Sequence, residues 1–304
     1  MPTSIQHTPL QGLKAWRLRK GRTEALVTSQ GAQVLGFGVD GEAPIVWSNP
    51  HARFIPGEPI RGGIPICWPW FGGLNANPQV VRSGYKSGAD APFHGLVRQV
   101  EWEVDGVHED ADRAQISFLH RISPAITPDW PHEASLKLQV TVEDALLSVS
   151  LAVHNTGDSA IALTQALHTY FATSDVRRVE LKGFDGAFYY DCLDAWNSRR
   201  QCGEPKIMGA TDRIYQCLAD QLEISDPAWG RRIIIRTTNT SSAILWNPWV
   251  DKATRLDQFC PDSWPYMLCI ETARAMDNLL VVKPGGNAEM SVTISRELAA
   301  PVAG

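Results

Sequence analysis

Two side chains in this sequence could move protons between oxygen atoms. His168 lies in Thr164-Gln165-Ala166-Leu167-His168-Thr169-Tyr170-Phe171, and Glu271 follows the continuous apolar run Met267-Leu268-Cys269-Ile270. Read as a strand, the first segment puts His168 on one face with Thr164, Ala166 and Tyr170, away from the apolar Leu167 and Phe171. That suits an imidazole lining a cleft; the other reading is a core histidine donating to a backbone carbonyl. Glu271 is expected at the end of a buried strand, where an unpaired carboxylate is costly. It is either paired, with Arg274 as the nearest candidate, or functional, with a pKa raised by burial towards that of a general base.

Cations and aromatic rings cluster in two further stretches. Pro59-Ile60-Arg61-Gly62-Gly63-Ile64-Pro65-Ile66-Cys67-Trp68-Pro69-Trp70-Phe71-Gly72-Gly73 presents one Arg beside three large rings, with glycines that let backbone approach closely. An Arg beside an aromatic wall suits an anionic or hydroxyl-rich ligand such as a sugar, whose C–H faces pack on rings. A packed aromatic corner with a surface Arg is the alternative. Phe93-His94-Gly95-Leu96-Val97-Arg98 puts a His at a tight turn with an Arg four residues on. Together they could bind an anion, or they are a turn histidine and a surface Arg. Taken together, the segments offer an imidazole acid, a carboxylate base, aromatic walls and several arginines for an anionic group.

Other chemistries lack their residues. There is no HExxH, no Cys/His cluster, no GxxxxGK[ST], no GxGxxG after a strand and no GxSxG, so no metal or nucleotide cofactor is expected. The 304 residues carry 28 Lys and Arg against 33 Asp and Glu, a net charge of −5 that gives no basic surface for nucleic acid or anionic membrane. The six cysteines form no CxxC pair and are read as reduced thiols. Met1 to Leu10 show no signal-peptide pattern and no apolar run is long enough to span a bilayer, so a cytoplasmic location is expected.

The elements that must position these residues are strands. Leu136, Leu138, Val140 and Val142 alternate with polar residues, and after Glu143-Asp144-Ala145 the pattern resumes at Leu147, Val149, Leu151 and Val153, which predicts a hairpin with one buried face. Ile116/Phe118 and Met290/Val292/Ile294 repeat the alternation, and Asp226-Pro227-Ala228-Trp229-Gly230 separates Leu222/Ile224 from Ile233-Ile234-Ile235 as a turn between strands. Helical signals are few and short, the clearest around Asp251 to Phe259. The fold class is mainly β: one domain over residues 1–304, with loose termini at about 1–10 and 298–304. A closed barrel or packed sandwich would hide so many apolar faces. Arg199-Arg200 and Arg231-Arg232 are read as solvated surface pairs, with a place at the border of the cleft as the alternative.

PIRGGIPICWPWFG, HGLVR, ALHTYF, TDRIY, WNPW and CIET, in this order, resemble the aldose 1-epimerase (galactose mutarotase-like) superfamily, and within it the glucose-6-phosphate 1-epimerase group. The resemblance implies a large antiparallel β-sandwich with its site in a cleft on one sheet. It implies His168 as general acid and Glu271 as general base, and it places Arg61, His94 and Asp212 around the sugar. Arg61 and Arg98 are the candidates for a phosphate. The implied reaction interconverts the α and β anomers of a hexose 6-phosphate by ring opening and reclosure. It needs no cofactor or metal, a Glu pKa raised by burial and a His pKa not depressed by it. A mutarotase of unphosphorylated galactose or glucose, and a non-catalytic carbohydrate-binding β-sandwich, are the alternatives. The expected partner is a small sugar phosphate, with a monomer or a weak homodimer as the assembly.

Overall fold

The period-two alternation folds as read. In the computed structural model, which describes residues 3–86 and 90–298, the strands Ala134–Glu143 and Leu146–Asn155 form an antiparallel hairpin. Its register pairs Leu136 with Val153, Leu138 with Leu151, Val140 with Val149 and Val142 with Leu147. All eight side chains are buried, so a one-residue slip would turn this whole apolar row to solvent.

The hairpin belongs to an eight-stranded antiparallel sheet. Its order is Glu180–Lys182, Gln221–Asp226, Arg231–Thr238, Asn287–Leu298, Leu146–Asn155, Ala134–Glu143, Ala114–Ile122 and Glu103–Glu109. A second eight-stranded sheet runs Asn197–Arg200, Phe188–Asp191, Thr211–Gln216, Ser242–Asn247, Met267–Arg274, Gln165–Leu167 and Ile66–Cys67, with Tyr170–Ala172 also paired to Met267–Arg274. Thr3–His7, Ala15–Lys20, Thr23–Thr28 and Val34–Val39 add a four-stranded meander. Leu138, Leu151, Ile224, Ile235 and Ile294 share one apolar cluster with Leu167, Phe171, Leu245, Leu268 and Ile270. The two large sheets therefore enclose the main core between them, a mainly β, antiparallel sandwich as expected.

The site follows from the opposite face of the second sheet. Along Met267–Arg274, Leu268 and Ile270 enter the core between the sheets, while Met267, Cys269 and Ala273 join a separate cluster with Ala166, Tyr170, Ile214, Ile244 and Trp246. Alternation places Glu271 on this second face.

Three local expectations are corrected. Thr3–His7, within the stretch expected to be loose, pairs along its length with Ala15–Lys20, because Ile5 also packs on the core and its N–H bonds Glu109 Oε1 at 2.6 Å. The last described strand ends at Leu298, and residues 1–2 and 299–304 lie outside the described part. Arg231 is buried at 4% exposure, not solvated: its guanidinium donates to the carbonyls of Ala43, Pro44 and Ala172 and lies 4.5 Å over the Trp229 ring. Burial pushes its pKa down to about 10. Arg232, Arg199 and Arg200 are exposed. The helix read at Asp251 to Phe259 lies earlier, at Trp249–Ala253, and the chain then passes to the 3₁₀ turn Pro261–Tyr266. Among the described residues no helix is long and apolar enough to cross a membrane.

Candidate active site

His168 and Glu271 meet because two strand fragments share one register. Gln165–Leu167 and Tyr170–Ala172 both pair with Met267–Arg274, with Leu167 opposite Thr272 and Tyr170 opposite Cys269. Continued across the break, that register sets His168 opposite Glu271. The segment read as one strand is thus interrupted at His168–Thr169, where the His168 N–H turns to the Pro65 carbonyl at 2.9 Å and the Thr169 N–H to that of Leu167. Glu271 lies inside its strand, three residues before Arg274, where a strand end was expected.

Nδ1 of His168 is 3.5 Å from Oε2 of Glu271, and neither atom has a hydrogen-bond partner among the described residues. The Arg274 salt bridge is not formed. Arg274 instead donates to the carbonyls of Asn239, Asn278 and Leu279. The imidazole is held by rings: Tyr170 stacks on it at 4.8 Å and 6°, while His94 at 5.3 Å and Trp246 at 6.3 Å present edges. Two unpaired polar atoms facing each other in a buried position are costly, and such a cost is characteristic of groups kept for chemistry.

Burial drives the Glu271 carboxyl well above its ordinary pKa, and Asp212 adds to the shift. His168 departs from expectation: burial first, then the charges of Arg98 and Arg61, lower it to about 3. Burial thus favours the neutral form of both groups, carboxyl and imidazole. The sign for stability follows. Above about pH 4.5 the unfolded chain releases the Glu271 proton that the native chain keeps, so native stability falls as pH rises. Below 6.5 the unfolded chain binds a proton at His168 that the native chain refuses until about 3, so stability also falls as pH drops through that window. Glu271→Gln, which keeps the shape and cannot ionise, is expected to melt higher than the wild type, by a margin that widens as pH rises above 4.5. The slope is about 1.4 kcal/mol per pH unit while the native carboxyl stays protonated. Calorimetry giving a margin independent of pH would contradict the protonated carboxyl.

The other expected residues line the same cavity, of about 520 Å³: Arg61, His94, Arg98 and Asp212 border it together with His168 and Glu271. Arg61 reaches it from the Gly62-Gly63 loop, and its Nε donates to the Asp257 carbonyl at 2.9 Å. Gly63 has φ +70°, and a Cβ there would lie 2.1 Å from the Val34 carbonyl, so only glycine lets the loop close on the meander. His94 sits at φ +68° and is clasped to Gly72: its N–H meets the Gly72 carbonyl at 2.8 Å, and its Nδ1 accepts the Gly72 N–H at 3.0 Å. Burial, with His168 and the nearby cations, keeps its imidazole well below the ordinary pKa. Arg98 is half-buried, with Nε enclosed and unpartnered, so the surface reading of this Arg fails. Among the described residues neither Arg61 nor Arg98 forms an ion pair with a carboxylate. Asp212 is raised by burial and held by Lys252 Nζ at 3.5 Å and by the Cys192 thiol.

Sequence reasoning did not single out Lys252, which borders the cavity from the helix Trp249–Ala253 and lies 5.4 Å over the Trp246 ring. The WNPW segment carried the available signal, since Lys252 follows it by three residues. His168, Cys269 and Glu271 offer ligand atoms within 4.8 Å of one another, a grouping that spacing alone did not reveal.

Superposition on solved structures identifies the fold. The fold is that of the galactose mutarotase-like β-sandwiches: a provisionally named mutarotase from Salmonella typhimurium superposes with TM-score 0.85, covering 97% of this chain and 94% of that one at 24% identity. The chain belongs to the aldose 1-epimerase family, whose sequence profile matches residues 14–295. Membership of that family makes its class that of the mutarotases, which are isomerases. Several relatives carry the provisional name glucose-6-phosphate 1-epimerase, two of them bacterial proteins similar over most of the chain. One, from Escherichia coli strain K12, is 29% identical over 86% of this chain and 83% of its own length. The other, from Salmonella typhimurium strain LT2, is 27% identical over 84% and 81%.

Proposed function

We propose that this protein interconverts the α and β anomers of a hexose 6-phosphate, glucose 6-phosphate foremost, with Glu271 and His168 as the proton-transferring pair. One observation carries the reading: Arg61 and Arg98, which form no ion pair with a carboxylate among the described residues, border the cavity that holds the pair. Guanidinium groups bind phosphate oxygens in a planar fork, and uncompensated cations in a sugar-sized cavity favour an anionic sugar over a neutral one. The names of the relatives agree with this.

Ring opening removes the proton from the anomeric hydroxyl and delivers one to the ring oxygen. With Glu271 as carboxylate and His168 as imidazolium, the carboxylate takes the hydroxyl proton while the imidazolium protonates the ring oxygen. The ring C–O bond breaks to leave an aldehyde, and the pair becomes carboxyl and neutral imidazole. That is the proton distribution favoured by burial. After rotation about the bond to the aldehyde carbon, His168 takes back the proton of the chain hydroxyl. Glu271 returns its own to the carbonyl oxygen, and the other anomer closes. Arg61 and Arg98 hold the phosphate, fixing the anomeric carbon against the pair. His94, Asp212 and Lys252 supply hydrogen bonds to the sugar hydroxyls.

The test is the relaxation of freshly dissolved α-glucose 6-phosphate and α-glucose to anomeric equilibrium, followed by NMR at matched enzyme concentration. The expected result is a larger kcat/KM for the phosphosugar, by about tenfold or more, as one charged hydrogen-bonded contact provides. Equal acceleration of both sugars would remove the phosphate from the reading, and acceleration of neither would leave a binding module.

A further inference from the structure

Three residues on two neighbouring strands bring potential metal ligands to one point. Cys269 and Glu271 stand two apart on Met267–Arg274, so both side chains leave the sheet on the same face, and His168 sits across from Glu271 at the break in the adjoining strand. An imidazole nitrogen, the thiol sulfur and a carboxylate oxygen lie within 4.8 Å of one another. His168 Nδ1 and Glu271 Oε2, 3.5 Å apart, are both enclosed and have no hydrogen-bond partner among the described residues. The three residues are 7%, 1% and 0% exposed for His168, Glu271 and Cys269. A nitrogen and an oxygen bound to one tetrahedral zinc ion at about 2.0–2.2 Å stand roughly 3.3–3.5 Å from each other, which is the separation found. The sulfur of such a centre stands about 3.6 Å from both, so the thiol closes by at most about 1.2 Å to take its place.

We propose that His168, Cys269 and Glu271 form a binding site for a thiophilic divalent cation, Zn²⁺ in the first instance. The donor set selects the class: thiolate and imidazole suit zinc and the softer divalent ions, whereas calcium and magnesium take oxygen ligands. On binding, the thiol and the carboxyl each release a proton to solvent, and the imidazole coordinates through the lone pair of its neutral form. Two anionic ligands cancel the charge of the ion, so the buried centre is neutral, and it stays neutral beside Arg61 and Arg98 on the same cavity. Tyr170, stacked on the imidazole at 4.8 Å, already holds the ring in place. The cavity of about 520 Å³, bordered by His168 and Glu271, gives the ion its way in and supplies water as a fourth ligand. The site itself goes beyond the phosphosugar reading, and one consequence rests on that reading. A bound ion occupies both proton-exchanging groups, so anomer interconversion stops while the ion is held.

The test uses the full chain carrying Cys202→Ser and Cys217→Ser, so that the exposed thiols do not compete for metal. Co²⁺ serves as the spectroscopic probe, and the expected result is a thiolate-to-cobalt absorption band in the near ultraviolet that added Zn²⁺ displaces. The band should vanish in Cys269→Ala and in Cys269→Ser, which nearly keeps the volume, and persist in Cys192→Ser on the cavity wall. With every buried cysteine left in place, the His168 ring ¹⁵N signals should shift on adding Zn²⁺. Buffered free Zn²⁺ should stop anomer exchange of glucose 6-phosphate and a chelator should restore it. The half-inhibiting concentration should rise about tenfold or more in Cys269→Ser, since even groups behind a ligand contribute that much to metal affinity. No band, a band that survives both Cys269 variants, or unmoved His168 signals would overturn the site and leave the function standing. A band lost as expected, with anomer exchange undisturbed by Zn²⁺, would keep the site and remove the Glu271–His168 pair from the reading of function.

Discussion

Glu271→Gln and His168→Gln are each expected to lower kcat for anomer interconversion by about 10² to 10⁴, with KM for the phosphosugar little changed. Both replacements keep nearly the volume of the original side chain, so the Tyr170 stack and the Ile244 and Trp246 wall have no reason to collapse. What is lost is the capacity to exchange a proton. Because the two groups hand over one proton between them, the double variant should be scarcely worse than either single one. Stopped-flow polarimetry on the three variants decides this. Losses that multiply in the double variant would mean two independent contributions, and a raised KM with intact kcat would reduce the pair to sugar binding.

The second large effect concerns the cations. Arg61→Ala and Arg98→Met should each cut kcat/KM for glucose 6-phosphate by about 10- to 150-fold, the range for one lost charged hydrogen bond. Neither should lower the value for free glucose. Methionine at position 98 keeps an unbranched apolar stem in a half-buried place, so the comparison isolates the charge. Equal losses on both sugars would assign these arginines to the architecture of the loops. That outcome has a structural basis for Arg61, whose Nε ties the loop to the Asp257 carbonyl at 2.9 Å, and none in the described contacts for the enclosed Nε of Arg98.

Much of this arrangement was legible in the residues, for a physical reason. A strand between a core and a cleft must alternate, and the hairpin Ala134–Glu143/Leu146–Asn155 and the face shared by Ala166, His168 and Tyr170 both follow from that period. The break at His168–Thr169 was not legible, because it depends on a carbonyl supplied by Pro65, about a hundred residues away in sequence. The depressed imidazole pKa was hidden likewise, since it comes first from burial and then from Arg98 and Arg61, which share a cavity with His168 only once two separate loops have folded. Arg231 shows the same limit from the opposite direction. A pair of adjacent arginines reads as surface, yet alternation along Arg231–Thr238 turns the first of them inward, where three backbone carbonyls satisfy it.

Ring opening by the Glu271–His168 pair makes a claim about bonds: the ring C–O bond breaks, while the bond from the anomeric carbon to its own oxygen survives. Glucose 6-phosphate carrying ¹⁸O at the anomeric oxygen tests it directly. The ¹³C signal of the anomeric carbon reports the isotope, and exchange cross-peaks between the α and β signals report interconversion. The account predicts cross-peaks with the wild-type enzyme at label fully retained on the timescale of exchange, and none above background with Glu271→Gln. Loss of label in step with anomer exchange, or undiminished cross-peaks in the variant, would contradict it.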